Sequence, residues 1–446
     1  MRPSWKSNTG FLLSAAGSAI GLGNIWKFSY IAGLNGGGAF VLFYMICVAF
    51  VALPVLLSEI AIGQKAQSNA IRSFDVIEQK PSYFKFAGIL GLLASVLIIA
   101  FYSVVGGWIL YYQMECLSRF SDFQSADSVR HVFDVALSDP FVSVSCQLLF
   151  LLMTFAIVGA GVNKGIERVN KLAVPLLAVL LFFLLACVWN SPGFSKALEF
   201  LFVPDFSSFH ASGALEAVGH SFFTVSVGVG IMVTYGSYVP QSTRIGGISL
   251  VIVLVDTIIA LVSGVVIFSV LFSFESSPDQ GPILMFKTLP VLFARMQNGM
   301  IVASAFFTLV LLTAITSAIS LLAVPMAYLE DLGMKRNHAL IFLAVLIAVF
   351  GLPCGLSFNL LSDVGLMGMN IFDLFDAMSS KLLLPVSGLM CVMFFAYKMD
   401  AAVIVKQNIS SRFLRNIFTF SIRVLAPLSI LVILINGLLG YGILPD

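Results

Sequence analysis

The chain has 446 residues, 59% of them hydrophobic and 10% charged, with a formal net charge of +2 and a mean hydropathy of +1.02. Soluble domains carry about 25% charged residues, so the composition excludes a soluble module and implies a helical protein that crosses a bilayer many times. The near-neutral charge gives no ground for a nucleic-acid partner, and the lipid bilayer is the expected surroundings. Six cysteines (47, 116, 146, 187, 354 and 391) are scattered through mostly apolar runs. They read as small core residues, so neither disulfides nor a zinc site is inferred.

About 20 apolar residues span a bilayer. By that ruler the sequence holds eleven spans: 10–33, 38–64, 86–117, 142–161, 169–190, 214–237, 247–273, 299–328, 338–357, 376–397 and 418–441. The first runs from apolar into glycine-rich sequence without a small-residue cleavage site, so it reads as a retained helix rather than a signal peptide. Residues 280–298, with Pro282 and Pro290, are too short and polar to span and read as a re-entrant or surface hairpin.

Span one contains Gly17-Ser18-Ala19-Ile20-Gly21-Leu22-Gly23-Asn24. Glycine is about 1 kcal/mol less favourable than alanine inside a helix. The stretch therefore predicts backbone that is not continuously helical at membrane depth, which is tolerated where it lines a cavity. A small-residue packing face is the other reading. Span six repeats the pattern at Phe222-Phe223-Thr224-Val225-Ser226-Val227-Gly228-Val229-Gly230. Interrupted helices at corresponding places in two halves point to the central site of a secondary transporter. The expected halves are 8–190 and 212–399, inverted because each holds an odd number of spans, with 417–442 as an added helix in one membrane domain of residues 1–446.

One set of loops carries Arg2 and Lys6; Lys65, Arg72, Lys80 and Lys85; Lys164, Arg168 and Lys171; Arg244; Lys335 and Arg336; Lys398, Lys406, Arg412 and Arg415. The alternate loops carry only Arg119, Arg130, Lys196, Lys287 and Arg295. By the positive-inside rule the N-terminus is cytoplasmic and the C-terminus extracytoplasmic. No phosphate-cradling loop, zinc motif or nucleophile triad occurs, so an enzyme is not expected and transport must draw on an ion gradient.

The runs Gly21-Leu22-Gly23-Asn24-Ile25-Trp26 and Asn35-Gly36-Gly37-Gly38-Ala39-Phe40 resemble the opening signature of the neurotransmitter:sodium symporters. Glu59, Lys164-Gly165-Ile166-Glu167-Arg168, Phe222 to Gly230, Thr316-Ser317 and Leu329-Glu330-Asp331 match the same family. The resemblance implies the all-α LeuT fold, with a 5+5 inverted repeat and helices 1 and 6 broken. Eleven spans are similar to a bacterial subgroup handling hydrophobic amino acids, in the inner (cytoplasmic) membrane.

The resemblance further implies two Na+ sites and no organic cofactor. The first would use the Ala19 carbonyl, the Asn24 side chain, Thr224 and a residue of span seven. Alignment puts Asp256 there, where most members have asparagine, and Ala260 where chloride-dependent members have serine. Asp256 is thus expected to ligate sodium and to supply the negative charge that chloride supplies elsewhere; a protonated, hydrogen-bonded core aspartate is the alternative. The second site would use the carbonyls of Gly17, Ile20 and Thr313 and the hydroxyls of Thr316 and Ser317, which by themselves read as hydroxyls bonding back to their helix.

For the substrate, the resemblance implies a carboxylate held by the N–H groups of Leu22 and Gly23, the first sodium and the Tyr102 phenol. The ammonium would meet the carbonyls of Ala19, Phe223 and Thr224 and the Ser226 hydroxyl. Monoamine members carry an aspartate where Gly21 stands here, so an α-amino acid fits better than an amine. Ser18, Ile98, Phe223, Val229, Ser317 and Leu321 would line a largely apolar side-chain pocket. Val229, in place of a bulky phenylalanine, makes room for aromatic or large aliphatic side chains.

Gates are implied at Lys27 with Asp376 on the outside, and at Arg2 with Asp331, among Trp5, Ser237 and Tyr238, on the inside. His220 stands where a glutamine often helps to hold chloride; a hydrogen-bonded core histidine or a role in pH dependence are both open readings. The expected function is sodium-coupled, chloride-independent symport of hydrophobic L-amino acids by alternating access. An ion channel, a transport-dead amino-acid sensor and a proton-coupled transporter of the same fold are the alternatives.

Overall fold

Backbone polar groups at membrane depth must be satisfied within the chain, so long apolar runs become helices. The computed structural model describes residues 4–118, 120, 126–207, 209–278 and 284–439. Among these, nine helices are long and apolar enough to cross a membrane. They are Gly38–Ala66, Lys85–Ser118, Pro140–Gly159, Val162–Val188, Ile245–Ser273, Gly299–Asp331, Arg336–Leu356, Ile371–Lys398 and Arg412–Leu439. The other two expected spans, one and six, are each divided. Span one comprises Asn8–Ala19, a wide turn at Gly23–Lys27 and Phe28–Leu34. Span six comprises Ala211–Thr224 and Ile231–Gly236.

Burial separates the spans into an inner and an outer set. The most apolar stretch of Gly299–Asp331 is 83% buried, against 28% for Arg412–Leu439. The outer helices leave Leu152, Leu172, Phe182 and Ile341 exposed; in a chain of this composition that surface belongs against lipid. Inside, span eight lies along span three, and the second half of span six lies against span two. Close approach there depends on Gly63, where a Cβ would collide with the Val233 carbonyl oxygen.

Of the stretch 280–298, the described part fits the re-entrant reading and not the surface one. From Leu284 onward it is inserted: Thr288–Ala294 is a short helix, and Leu284, Phe286, Leu289 and Phe293 are buried. The Phe286 ring meets Trp26 and Trp108, both with centroids 5.9 Å away. Polar residues and prolines made the stretch read as unable to span, while its aromatic residues had partners that sequence periodicity could not reveal. Residues 280–283 lie outside the described residues.

Candidate functional site

Span one breaks where its glycines predict. The first helix ends at Ala19, and Ile20 turns extended (φ −67°, ψ 94°) while its N–H still donates to the Ala16 carbonyl. Asn24 closes the break by accepting from the Gly21 N–H at 2.9 Å, and its own N–H donates to the Gly21 carbonyl at 3.1 Å. This leaves the N–H groups of Leu22 and Gly23 without a backbone partner among the described residues. Such N–H groups at the start of a helical segment form an anion-binding position.

Span six breaks through three left-handed residues, Ser226 (φ 55°), Gly228 (φ 81°) and Gly230 (φ 80°). Left-handed backbone is routine for glycine but not for serine. Ser226 is held by its hydroxyl, which donates to the Ser18 carbonyl at 2.8 Å and so ties one break to the other. Gly228 donates its N–H to the Glu59 carboxylate of span two at 2.6 Å. Glu59 entered the sequence reading only as a family match; its position as an intramembrane carboxylate was the signal for this second task.

The two breaks border a cavity of about 320 Å³. Ser18, Ala19, Leu22, Gly23, Ile98, Tyr102, Phe223, Thr224, Ser226, Val229, Ser317 and Leu321 all line it. One wall is apolar, from Ile98, Val229 and Leu321. The Tyr102 hydroxyl is buried there facing the Leu22 N–H and the Ser317 hydroxyl, with no well-formed hydrogen bond among the described residues. An unpaired buried donor beside free N–H groups is costly unless a ligand completes it. The expected ammonium contact at Ser226 is altered, because that hydroxyl's proton is directed to Ser18. Its oxygen lone pairs remain able to accept.

The residues expected at the first sodium also converge. The Asn24 side-chain amide donates to the Asp256 carboxylate at 2.7 Å and to its carbonyl at 3.1 Å. The Thr224 hydroxyl donates to the same carboxylate at 3.2 and 3.1 Å. All three side chains are buried. The donor set is oxygen throughout once the Ala19 carbonyl is included, which suits a hard cation. Among the described residues no group of three or more His, Cys, Asp or Glu comes together that could hold a metal ion.

At the second expected set, Ser317 approaches the carbonyls of Ser18 and Ile20 at 3.4 Å each, so span eight faces the span-one break. Thr316 donates to Thr313 at 3.0 Å and Thr313 to Leu309 at 2.7 Å, both within their own helix. Back-bonded hydroxyls keep their lone pairs, so this arrangement leaves oxygens free to face a cation. Gly17 lies against the Asn170 side chain of span five, leaving no room for a Cβ.

The two ends of the cavity differ. Lys27 and Asp376 both line it, but they form no ion pair among the described residues. The Lys27 ammonium lies instead over the Phe223 ring, 4.8 Å from its centroid. The expected outer pair is therefore apart, with both residues lining the cavity. At the opposite end, Trp5 is buried, with its indole N–H donating to the Tyr235 carbonyl at 3.0 Å and its backbone N–H to the Tyr238 carbonyl at 3.2 Å. Asp331 accepts from the Asn69 backbone at 3.0 Å and side chain at 2.9 Å. Arg2 lies outside the described residues.

His220 is buried between the rings of Phe28 and Tyr44, with centroids 6.0 and 5.3 Å away. Among the described residues neither ring nitrogen has a hydrogen-bond partner, which speaks against a hydrogen-bonded core histidine. Sequence reasoning missed several lining residues, among them Trp26, Tyr30, Phe101, Phe372 and Leu384. Phe101 meets Phe372 with centroids 5.5 Å apart. Leu384 is buried with its carbonyl against Gly228 at the span-six break, and the aromatic residues read the same from sequence whether they face lipid or a cavity.

The model of the sodium:neurotransmitter symporter family matches residues 2–137 and 136–444. An uncharacterized sodium-dependent transporter of Bacillus subtilis is 35% identical over 445 residues, covering 98% of each chain. One of Haemophilus influenzae is 32% identical over 450 residues, again covering 98% of each. Among solved structures, that of MhsT in complex with L-phenylalanine superposes with a TM-score of 0.89 at 38% identity, covering 98% of this chain and 100% of that one.

Proposed function

We propose, since the chain belongs to the sodium:neurotransmitter symporter family, that it is a sodium-coupled symporter of hydrophobic L-amino acids, aromatic or large aliphatic. It is a multi-pass membrane protein of a transporter family and not an enzyme. One observation carries the substrate reading: the free N–H groups of Leu22 and Gly23 and the unpaired Tyr102 hydroxyl border the same cavity as the apolar wall of Ile98, Val229 and Leu321. A ligand that satisfies both ends bears a carboxylate on an apolar body. Its ammonium would meet the carbonyls of Ala19, Phe223 and Thr224, and Gly21 offers no carboxylate at its own position to favour a bare amine. The presence of L-phenylalanine in the MhsT structure supports a similar ligand here.

Two sodium ions fit this reading. Ala19, Asn24, Thr224 and Asp256 would hold the first, next to the substrate carboxylate. Gly17, Ile20, Thr313, Thr316 and Ser317 would hold the second, clamping span eight to span one. Asp256 supplies a fixed negative charge, which makes the cycle chloride-independent. The open outer end and the closed Trp5 end correspond to one limit of alternating access, with residues 8–190 and 212–399 as inverted repeats and the N-terminus in the cytoplasm. Closure would bring Lys27 to Asp376, while Arg2, Trp5, Tyr238 and Asp331 separate.

The test is binding of labelled amino acids to the purified full chain with sodium or potassium, followed by counterflow into proteoliposomes. Sodium-dependent binding that favours phenylalanine, tryptophan and leucine over glycine and aspartate, with uptake, is expected. Binding indifferent to sodium would overturn the coupling. Binding without uptake would instead identify a sensor.

A further inference from the structure

We propose that a second cavity, at the membrane boundary on the side of Trp5, holds the anionic phosphate of a lipid headgroup. This cleft has a volume of about 610 Å³ and lies away from the central site. Three spans end on it, and each contributes a cation: Lys65 in the last turn of span two, Arg244 capping the start of span seven, and Lys398 at the end of span ten. Among the described residues the only acid that lines it is Asp400. None of the three cations forms an ion pair among the described residues. Like charges gathered on one cleft repel, and a bound anion removes that repulsion.

The frame of the cleft is fixed by hydrogen bonds that do not involve the cationic heads. The Gln64 side chain donates to the carbonyls of Pro240 at 2.7 Å and Thr243 at 2.9 Å, holding the loop before span seven against the end of span two. The Gly246 N–H donates to the Asn408 side chain at 2.9 Å, holding the connection between spans ten and eleven. The cleft is thus formed before any ligand arrives.

A lipid headgroup and a free phosphate share the relevant chemistry, and the apolar rim favours the lipid. Val403, on the rim, is 54% exposed, and Tyr397, one residue before Lys398, is 57% exposed. Basic pockets between helices at the cytoplasmic surface are recurrent headgroup sites, and this is the side to which the loop charges assign the cytoplasm. An acyl chain would leave the cleft along Val403 while its phosphate faces Lys65, Arg244 and Lys398.

The experiment is native mass spectrometry of the detergent-purified full chain offered equal amounts of dioleoyl phosphatidylglycerol and dioleoyl phosphatidylcholine. Phosphatidylglycerol is expected to be retained over phosphatidylcholine by about tenfold, and millimolar inorganic phosphate to leave it in place. Lys65→Gln/Arg244→Gln/Lys398→Gln together should erase most of that preference. Lys80→Gln/Lys85→Gln/Lys335→Gln, which removes the same charge elsewhere on the same side, should not. Equal retention of the two lipids, or equal loss in the two triple variants, would overturn the proposal. Displacement by inorganic phosphate would overturn the lipid as occupant. Gel filtration reports folding of each variant, and the single variant Lys398→Gln, at an exposed helix end, gives a partial loss if the triple variant is unstable.

Discussion

The side-chain amide of Asn24 donates to the carboxylate of Asp256 at 2.7 Å, joining the break in span one to the unbroken middle of span seven. Thr224, at the break in span six, donates to the same carboxylate. One buried carboxylate therefore joins three helices, spans one, six and seven. In Asp256→Ala the Asn24 amide and Thr224 hydroxyl lose their acceptor, and each buried polar group left unpaired costs about 1–3 kcal/mol. Sodium affinity, read from the sodium dependence of amino-acid binding, should fall by roughly tenfold or more. In Asp256→Asn the shape remains but the charge is gone. Uptake by the wild type should be equal in chloride and gluconate, whereas uptake by Asp256→Asn should be stimulated by chloride. Wild-type uptake that collapses in gluconate would remove the charge-replacement role.

Gly228 is fixed by two constraints at once. Its φ of 81° lies in the left-handed region, and a Cβ would stand 2.6 Å from the Leu384 carbonyl oxygen. Left-handed backbone alone costs a non-glycine residue about 1–2 kcal/mol. Gly228→Ala should lower the unfolding temperature and abolish amino-acid binding, because the Glu59 hydrogen bond that shapes the break is displaced. Gly219→Ala is the contrasting variant, since it lies in the helical half of the same span and a Cβ there meets nothing within 4 Å. It should be neutral or stabilising by up to about 1 kcal/mol. Similar melting curves for the two variants would mean that the break is not structurally demanding.

The positions of the breaks were legible from composition, since glycine clusters at Gly17–Asn24 and Phe222–Gly230 have few uses at membrane depth. The spans were legible for the same reason, because apolar length is dictated by the bilayer. What sequence could not supply was partnership across the fold. Glu59 reads as an expensive buried charge, yet nothing in its neighbours says that its partner is the N–H of Gly228, 169 positions away. Phe286 sits in a stretch of prolines and polar residues, and only its aromatic partners turn that stretch into an inserted segment. Lys27 and Asp376 face the same space unpaired, a property of the conformation rather than of either residue.

Val229 forms part of the apolar wall with Ile98 and Leu321. Val229→Phe fills space that the substrate side chain would occupy. A methylene in an apolar pocket discriminates by about 1–3 kcal/mol. The variant should therefore lose phenylalanine and tryptophan by roughly tenfold or more in competition binding, while leucine or valine is weakened less. An unchanged rank order would show that the amino-acid side chain points elsewhere.

Trp5 is packed before the start of span one, with its ring edge-on to Tyr235 and Tyr238 at centroid distances of 5.2 and 5.9 Å. Removing a buried aromatic costs about 3–5 kcal/mol where the site cannot collapse, and here the loss falls only on the conformation in which the Trp5 end is shut. Trp5→Ala should shift the population toward opening on that side. Asp331→Ala should act in the same direction, since the Asn69 backbone and side chain then lose their acceptor. A cysteine placed at Ser237, which is buried beside Tyr238, should react faster with a membrane-impermeant thiol reagent in both variants. Unchanged reactivity would argue against a gate at this position.

Lys27 tests the outer end by a change of geometry at constant charge. Its ammonium lies over the Phe223 ring rather than on Asp376. Lysine offers a flexible point charge, whereas arginine presents a planar fork that can engage a carboxylate through two parallel hydrogen bonds. Lys27→Arg should stabilise the closed outer end by the few tenths to about 1 kcal/mol typical of a partly exposed ion pair. That corresponds to slower release of a bound amino acid by up to about fivefold, with little change in its association rate. Asp376→Asn should remove the slowing in Lys27→Arg while changing release from the wild type less. A double-mutant comparison in which the two substitutions act independently would mean that the residues do not meet when the cavity closes.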